Sequence, residues 1–418
     1  MFKTYLRQAV RLLAQNKFIS FIAILGTALS IMMIMCLIVV DRLKNGDLPP
    51  ENNRSKTLYV TGYLNENKEK GSISMGYPSF QVQKEYLEKL ETPTYKSLVS
   101  PKTEASHVKR DAQSPNHLLE VRLTDAAFWE IYQFDFLGGR GYAQPEFESG
   151  MAQAVLSHSV ERELYGTESG VGKFLTINSV PYKVVGVVKD ISRIFDMSYG
   201  QIWIPYTSRA GYEKRFYRFL MTVENRSDIP IIAQELKGAA IRYEQVNPSN
   251  EMTFFGPDRQ RDKDVSWAAS SEEREKSKSA NRRRTIFIIV ILLLVPAVNL
   301  SGFSMSQISR RMAEIGVRKA FGAKKSSILF QVLYENLLTS LIGGVIGLIL
   351  SYAVIFRFRF WLLGIPEDSS VPLSGLVSLP VLAAVVLACL LMNLLSVGIP
   401  AYRASKLSII HSLNQNER

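Results

Sequence analysis

The stretch that comes closest to a known ligand-binding pattern is rich in glycine and lies mid-chain. Residues 166–174 read GTESGVGKF. A phosphate-binding loop needs a glycine five residues before its second glycine, and a serine or threonine after its lysine to bind magnesium. Here position 167 is threonine and Phe174 follows Lys173. We therefore expect neither ATP nor magnesium to bind this chain.

The other residues that could do chemistry are scattered. Cys36 and Cys389 lie inside apolar runs, and no G-x-S-x-G, H-E-x-x-H or C-x-x-C motif occurs. Ser157 and His158 are adjacent, which indicates a helix start rather than a nucleophile with its base. The histidines share no metal-ligand spacing: they are His107, His117, His158 and His411. The sequence predicts no catalytic residue, no metal site and no intrinsic enzyme activity.

One polar stretch is regular enough to be a binding element. Residues 307–323 read QISRRMAEIGVRKAFGA, with Ile308, Met312 and Ile315 at helical spacing. We interpret it either as a helix that receives a partner at the membrane surface or as a basic helix that only fixes topology. The last residue of the helical pattern is followed by a glycine, which suits a helix stop. The residues that could contact a partner are Arg311, Glu314, Ile315, Gly316, Arg318, Lys319 and Gly322.

Apolar runs of the length that crosses a bilayer flank this stretch. A bilayer core needs about 20 helical residues. The runs that meet this length are 18–40, 285–305, 328–356 and 376–399. Residues 1–17 place Lys3, Arg7 and Arg11 on one helical face, which predicts an amphipathic helix on the cytoplasmic membrane surface. We expect an α-helical membrane protein with four transmembrane helices.

The distribution of Lys and Arg sets the orientation. Basic residues are frequent in 1–17, in the loop 306–326 and in the tail 400–418, but sparse in the loop 357–375. Both termini are therefore predicted inside, in an inner (cytoplasmic) membrane, although Arg282–Arg284 run against the rule. Because basic residues beside membrane spans account for much of the net charge of +12, we expect no nucleic-acid partner.

The segment 41–284 is predicted to be a large α+β domain outside the cytoplasm. Strand patterns occur at 57–63, 182–188, 201–205 and 218–224, and helical patterns at 78–90, 157–165 and 229–243. Residues 270–284 are charged and helical in pattern, which predicts a solvated stalk that continues into the second span.

Three residues of the third predicted span could pack against other helices. Gly343 and Gly347 form G-x-x-x-G, which allows close helix approach within the chain or across a dimer. Glu335 lies at the cytoplasmic end of this span, where it either contacts a neighbouring helix or faces water.

Two stretches carry a family resemblance. Residues 299–350 resemble the permease core (here about 285–411) of the FtsX-like, MacB-type ABC transporter permeases, with the family's acidic-Ile-Gly-x-Arg motif at Glu314, Ile315, Gly316 and Arg318. Residues 154–190 are similar to the family's MacB-like periplasmic core domain.

The resemblance implies a non-catalytic membrane subunit that moves its outside domain by mechanotransmission. It implies a porter-like subdomain with a small inserted α/β subdomain, placed at about 135–210. Its partners would be a second permease, as a homo- or heterodimer, and a cytoplasmic ABC ATPase on a separate chain that holds ATP and magnesium. The loop 306–326 would be the coupling helix for that ATPase. The expected role is efflux or the handling of lipoproteins or other envelope substrates, with or without a periplasmic adaptor as a further partner. The alternative is a transmembrane sensor or an activator of envelope enzymes, without transport.

Overall fold

The computed structural model describes residues 17–263, 271–310 and 325–363, together with Val317, Phe321 and single positions between 383 and 396. It forms two compact units, which we describe separately. The helical unit comprises Met1–Val40, Arg282–Phe358 and Leu376–Arg418. The sheet unit comprises Asp41–Asn281 and Arg359–Gly375.

The first helix is α1 (Lys17–Asn45), which belongs to the helical unit up to Val40 and to the sheet unit from Asp41 onward. The elements of the sheet unit that follow it are β1 (Thr57–Val60), β2 (Gly62–Asn67), β3 (Ser72–Gly76), α2 (Phe80–Val82, continued by a π-helical turn over Gln83–Leu87), β4 (Tyr95–Val99), β5 (Glu104–Lys109), β6 (His117–Thr124), α3 (Phe128–Ile131), β7 (Phe136–Gly139) and α4 (Gln144–Glu148). The remaining elements of the unit are β8 (Gln153–Ser157), α5 (His158–Tyr165), β9 (Phe174–Ile177), β10 (Val180–Val188), β11 (Ile202–Pro205), β12 (Arg218–Thr222), α6 (Ile229–Val246), β13 (Asn250–Phe255) and β14 (Asp258–Arg259).

Two small sheets bring together the beginning and the end of the unit. A four-stranded sheet has the order β14-β1-β12-β4, and a three-stranded sheet has the order β13-β2-β3. Strand β1 is buried along its whole length because it lies between β12 and β14. Strand β2 pairs with β13, almost two hundred residues later, and α6 packs on β13. These sheets therefore join chain segments that lie close to the first helix and close to the predicted stalk.

A third sheet contains the strands between these two ends. Its order is β7-β10-β8-β11-β6-β5-β9, and β9 also pairs with the first half of β10, so that six of the strands close into a ring. Its strands run from Glu104 to Pro205, whereas the sequence predicts an insertion at about 135–210. Strands β5 and β6 belong to this sheet although they precede residue 135, because β6 pairs with β11, about 80 residues away, and no local pattern shows that pairing. The bounds of the insertion stay a prediction.

Local patterns in this unit were good guides to the elements themselves. Strands occur at each predicted strand segment, and the helix predicted over 229–243 is found as Ile229–Val246. Helix α5 starts after Ser157, as predicted, but the carboxylate of Asp190 rather than the Ser157 hydroxyl accepts the free backbone N–H of Ser159, at 2.9 Å. The cap therefore comes from a residue distant in sequence.

Two long helices lie mostly in the helical unit. They are α7 (Ser271–Arg310), which begins in the predicted stalk, and α8 (Lys325–Leu363), which includes the predicted third span. Within the described part of the chain, Ser20–Asn45 and Ser340–Phe358 are long and apolar enough to cross a membrane. Helix α7 includes the predicted stalk and the predicted second span, and most of the fourth lies outside the described residues. The count of four spans stays a prediction.

A buried carboxylate joins the four-stranded and seven-stranded sheets. Asp125 follows β6, and its carboxylate accepts hydrogen bonds from the Ser97 hydroxyl and the Leu98 N–H of β4, both at 2.6 Å, and from the Phe128 N–H of α3 at 3.0 Å. Burial raises the pKa of Asp125 to about 6, although the three donors oppose that change. Its charge state is therefore linked to stability near neutral pH.

This linkage predicts a pH dependence. The pKa of the folded state, about 6, exceeds the ordinary value of 3.8. The stabilising contribution of Asp125 is therefore complete below about pH 4 and is lost as pH rises through 6, a change of about 3 kcal/mol in the free energy of unfolding. We expect denaturation between pH 4 and pH 7 to show this slope, and Asp125→Asn to lack it. An equal slope in both proteins would contradict the assignment.

Candidate functional site

The predicted coupling residues lie outside the described part of the chain. They are Arg311, Glu314, Ile315, Gly316, Arg318, Lys319 and Gly322. Two neighbours are described: Val317 is helical, and the backbone N–H of Phe321 donates to its carbonyl oxygen at 3.1 Å. The Phe321 side chain is 88% exposed, and Val317 is also exposed. Two apolar side chains of the predicted loop are thus exposed.

The two predicted packing glycines lie against α1, inside the helical unit. A Cβ on Gly347 would stand 2.5 Å from the Ala28 carbonyl oxygen and 2.9 Å from Ile31 Cβ. A Cβ on Gly343 would stand 2.7 Å from Thr27 Cβ. Real Cβ contacts are not this short, so the two helix backbones approach as closely as glycine allows.

Apolar packing extends the α1–α8 contact. Ile31, Met35 and Ala388 form a buried cluster, against which Leu348 and Tyr352 of α8 pack. Ala388 belongs to the fourth predicted span, so residues of three predicted spans meet here. Glu335 lies within α8, and its side chain is outside the described part of the structure.

A buried ion pair in the sheet unit contacts the last turn of α1. Glu51 and Arg54 form it at 2.5 Å, and both side chains are fully buried. Arg54 also donates to the carbonyl oxygens of Leu43, in the last turn of α1, and Gly46. Because a guanidinium carries several donors in a fixed plane, one side chain can satisfy carbonyls that a helix end leaves without partners. We call Glu51 and Arg54, with these two carbonyls, the Arg54 cluster.

A second buried cluster holds the start of α7. Asp258 of β14 is fully buried and contacts Arg274 and Lys278, both on α7, whose side chains are 3% and 12% exposed. The distance from Lys278 Nζ to the Asp258 carboxylate is 2.7 Å, and Thr61 donates to the same carboxylate at 2.7 Å. We call Thr61, Asp258, Arg274 and Lys278 the Asp258 cluster.

The charges of the Asp258 cluster depend on one another. Burial alone would lower the pKa of Lys278, but hydrogen bonds and charge interactions with Asp258 and Glu275 more than offset this and raise it. Arg274 also lies over the ring of Phe255, 5.0 Å from its centroid. Since a buried charge is tolerated only when it is paired, each member requires the others.

Contacts at Ser157 and His158 do not fit a nucleophile with its base. The Ser157 hydroxyl lies 3.2 Å from that of Ser159, and His158 Nδ1 lies 3.5 Å from the Glu161 carboxylate. Within the described ranges, no group of three His, Cys, Asp or Glu residues could hold a metal ion. The buried ion pairs of the Arg54 and Asp258 clusters instead join segments of the sheet unit.

Sequence reasoning did not find either cluster. The members of the Asp258 cluster lie far apart in the chain: Arg274 and Thr61, for example, are 213 residues apart. Arg54 lies three residues before a predicted strand, whereas Asp258 opens the charged run 258–264, and neither position identifies a partner.

Family models match both parts of the chain. The MacB-like periplasmic core domain matches residues 20–239, just over half of the 418 residues. The FtsX-like permease C-terminal domain matches residues 286–409. Together they match most of the sheet unit and most of the helical unit, and residues 240–285 lie between the two matches.

Individual relatives agree with these matches. The chain is 27% identical over 289 residues to the macrolide export ATP-binding/permease protein MacB of Chromobacterium violaceum, covering 68% of this chain and 42% of that protein. It is 22% identical over 280 residues to the uncharacterized ABC transporter permease YknZ of Bacillus subtilis, covering 66% and 64%. It is 22% identical over 357 residues to the pyoverdine export ATP-binding/permease protein PvdT of Pseudomonas syringae, covering 83% and 51%.

In each of these three matches, less than two thirds of the relative's length is covered. The matches nevertheless extend over both the domain between the first two apolar helices and the permease core. With the two apolar helices described above, they indicate a membrane protein with a periplasmic domain. The chain belongs to the FtsX-like, MacB-type family of ABC transporter permeases.

Proposed function

We propose that this permease serves an efflux transporter, in which a cytoplasmic ABC ATPase drives movement of the periplasmic domain. The observation that carries the proposal is the Asp258 cluster. It fixes the first turns of α7 to β14, and α7 also contains the second predicted span. A helix held at one end by buried ion pairs can pass a displacement to the strands that hold it.

The exposed turn at Val317 and Phe321 supports the docking of a partner on the loop between α7 and α8. Exposed apolar side chains rimmed by charged residues are typical of interaction sites. Around them the sequence places Glu314, Arg318 and Lys319. The partner we propose is the ATPase, whose ATP and magnesium would remain on that subunit.

The names of the relatives support the direction of transport. Two of them are export proteins, one for macrolides and one for pyoverdine. We propose export from the cell or handling of envelope lipids or lipoproteins for this chain, with a second permease completing the transporter. Both termini and the coupling loop would be cytoplasmic.

Charge reversal in the loop tests the proposal. We expect the double variant Glu314→Arg, Arg318→Glu to lose the ATPase that co-purifies with the wild-type chain from native membranes. The ATPase activity in the eluate should fall at least about tenfold, because unlike charges at a docking site become like charges. The control is Lys276→Glu, an exposed reversal on α7. An ATPase that still co-purifies with the double variant would contradict docking at this loop. If only periplasmic partners co-purify with the wild type, the sensor or enzyme-activator hypothesis is favoured instead.

A further inference from the structure

A buried loop of the sheet unit contacts both chain segments that lead to the membrane helices. This loop, residues 191–200, joins β10 to β11 and has no strand or long helix of its own. Its side chains Ile191, Phe195 and Met197 are nevertheless buried. We call it the junction loop. A buried loop must find partners for its backbone polar groups, and the identity of those partners shows what the loop connects.

Arg122 of β6 holds the junction loop to the seven-stranded sheet. Its guanidinium donates to the carbonyl oxygens of Asp196, at 2.8 Å, and Tyr199, and also to that of Ser100, at 2.8 Å. Burial lowers the pKa of Arg122 to about 10, which leaves it charged at neutral pH. The Trp203 indole of β11 donates to the Ser198 carbonyl at 3.0 Å. The loop is thus bound to two neighbouring strands of that sheet.

The Arg54 cluster contacts the same loop from the side of α1. Glu51 accepts a hydrogen bond from the backbone N–H of Ser198 at 3.1 Å. The Arg54 guanidinium lies over the ring of Phe195, 4.5 Å from its centroid. The cluster that contacts the last turn of α1 therefore also contacts the junction loop.

The segment that follows β14 contacts the loop through a further ion pair. Lys263 Nζ lies 2.8 Å from the Asp196 carboxylate, and the Lys263 side chain is only 2% exposed. Arg218 of β12 lies 4.0 Å from the same carboxylate. Burial raises the pKa of Asp196, but Lys263, Arg122 and Arg218 together more than offset it and hold that pKa below its ordinary value. Asp196 is therefore charged and pairs with a buried cation on the chain segment that precedes α7.

We propose that the junction loop makes the seven-stranded sheet move together with the two chain segments that lead to α1 and α7. The inference rests on the proposed function, since it identifies the loop as the element that passes movement to the seven-stranded sheet. The physical basis is that Arg122, Arg54 and Lys263 approach one loop from three segments. Displacement of any one of them leaves a buried charge or carbonyl without its partner.

The test measures whether a change at one side of the loop reaches the other side. We expect Lys263→Met, in the full chain held in lipid nanodiscs, to accelerate amide hydrogen exchange about tenfold in peptides covering residues 195–203 and also residues 48–56. Methionine retains the apolar length of lysine, and the Asp196 carboxylate left behind is about half exposed, so the variant should fold. The matched control is Lys68→Met, which removes an exposed ion pair with Glu251 at 3.0 Å in the same unit.

Faster exchange in Lys263→Met that is confined to residues 258–263 would overturn the inference, because the loop would then be a local packing element. The same holds if Lys68→Met produces the same acceleration. Asp196→Asn provides a second variant, which leaves Lys263 buried without its carboxylate, and it should accelerate the same peptides. No ATPase is needed for this measurement. Failure of any ATPase to co-purify with the wild-type chain would therefore count against the proposed function and leave the result for the loop unchanged.

Discussion

Asp258→Ala is expected to destabilise the sheet unit by about 3–5 kcal/mol, the usual cost of removing one partner from a buried ion pair. The carboxylate is fully buried and is the shared partner of Arg274 and Lys278. Without it, two cations on α7 lie close together in a site that water cannot reach. Thermal denaturation of the full chain in detergent or nanodiscs, followed by intrinsic fluorescence, would measure the loss.

The control for this prediction lies on α7, the helix that Asp258 contacts. Glu272 pairs with Lys276 at 2.8 Å, but these side chains are 77% and 71% exposed. Exposed pairs of this kind contribute about 0.3–0.5 kcal/mol. Glu272→Gln should therefore leave the transition almost unchanged. If Asp258→Ala cost no more than Glu272→Gln, the buried cluster would not hold the start of α7, and the proposed route of movement would lose its main support.

A second variant at Asp258 separates loss of stability from loss of ATPase binding. A milder variant, Asp258→Asn, retains the shape and one oxygen acceptor while removing the charge. We expect it to fold with reduced stability, since Arg274 and Lys278 lose the buried carboxylate that they share. If the proposed function is correct, its ATPase partner should still bind, because the coupling loop is untouched.

Gly347→Leu is expected to disrupt the contact between α1 and α8, at a cost of about 3 kcal/mol or more, toward the upper end for overpacking. Even the Cβ would stand 2.5 Å from a backbone oxygen, Ala28 O, which cannot rotate away as a side chain could. Either the two helices must separate or one must shift along the other. The expected results are a lower melting temperature in detergent and less monodisperse protein by size-exclusion chromatography.

A glycine on the partner helix provides the matched control. A Cβ on Gly26 of α1 would meet nothing within 4 Å. Gly26→Leu adds the same side chain to the same helix pair, and leucine favours helix over glycine by almost 1 kcal/mol. It should be neutral or stabilising. Equal damage from both substitutions would show that bulk in the helical unit, rather than the close backbone approach at Gly347, causes the effect.

Where a local pattern was clear, the sequence was sufficient to predict the element, whereas strands such as Glu104–Lys109 and Asn250–Phe255 were not predicted. Alternation and β-branched residues marked strands such as Val180–Val188, and helical spacing marked Ile229–Val246. Apolar runs without charge marked the helices that could cross a membrane. The family resemblance, carried by the stretches 154–190 and 299–350, agrees with the family models that match this chain.

The tertiary structure decided which segments meet. The start of the seven-stranded sheet at Glu104 depends on strand pairing between β6 and β11, and pairing across such a distance leaves no periodic trace in the sequence. The same limit applies to the charged residues. In the sequence Arg54, Arg122 and Lys263 look like ordinary surface cations, because charge type alone carries no information about burial. Only the folded chain shows that they converge on residues 191–200. The sequence by itself thus determined the kinds of element and the class of protein, whereas long-range pairing and the need to compensate buried charges decided how the periplasmic domain is held together.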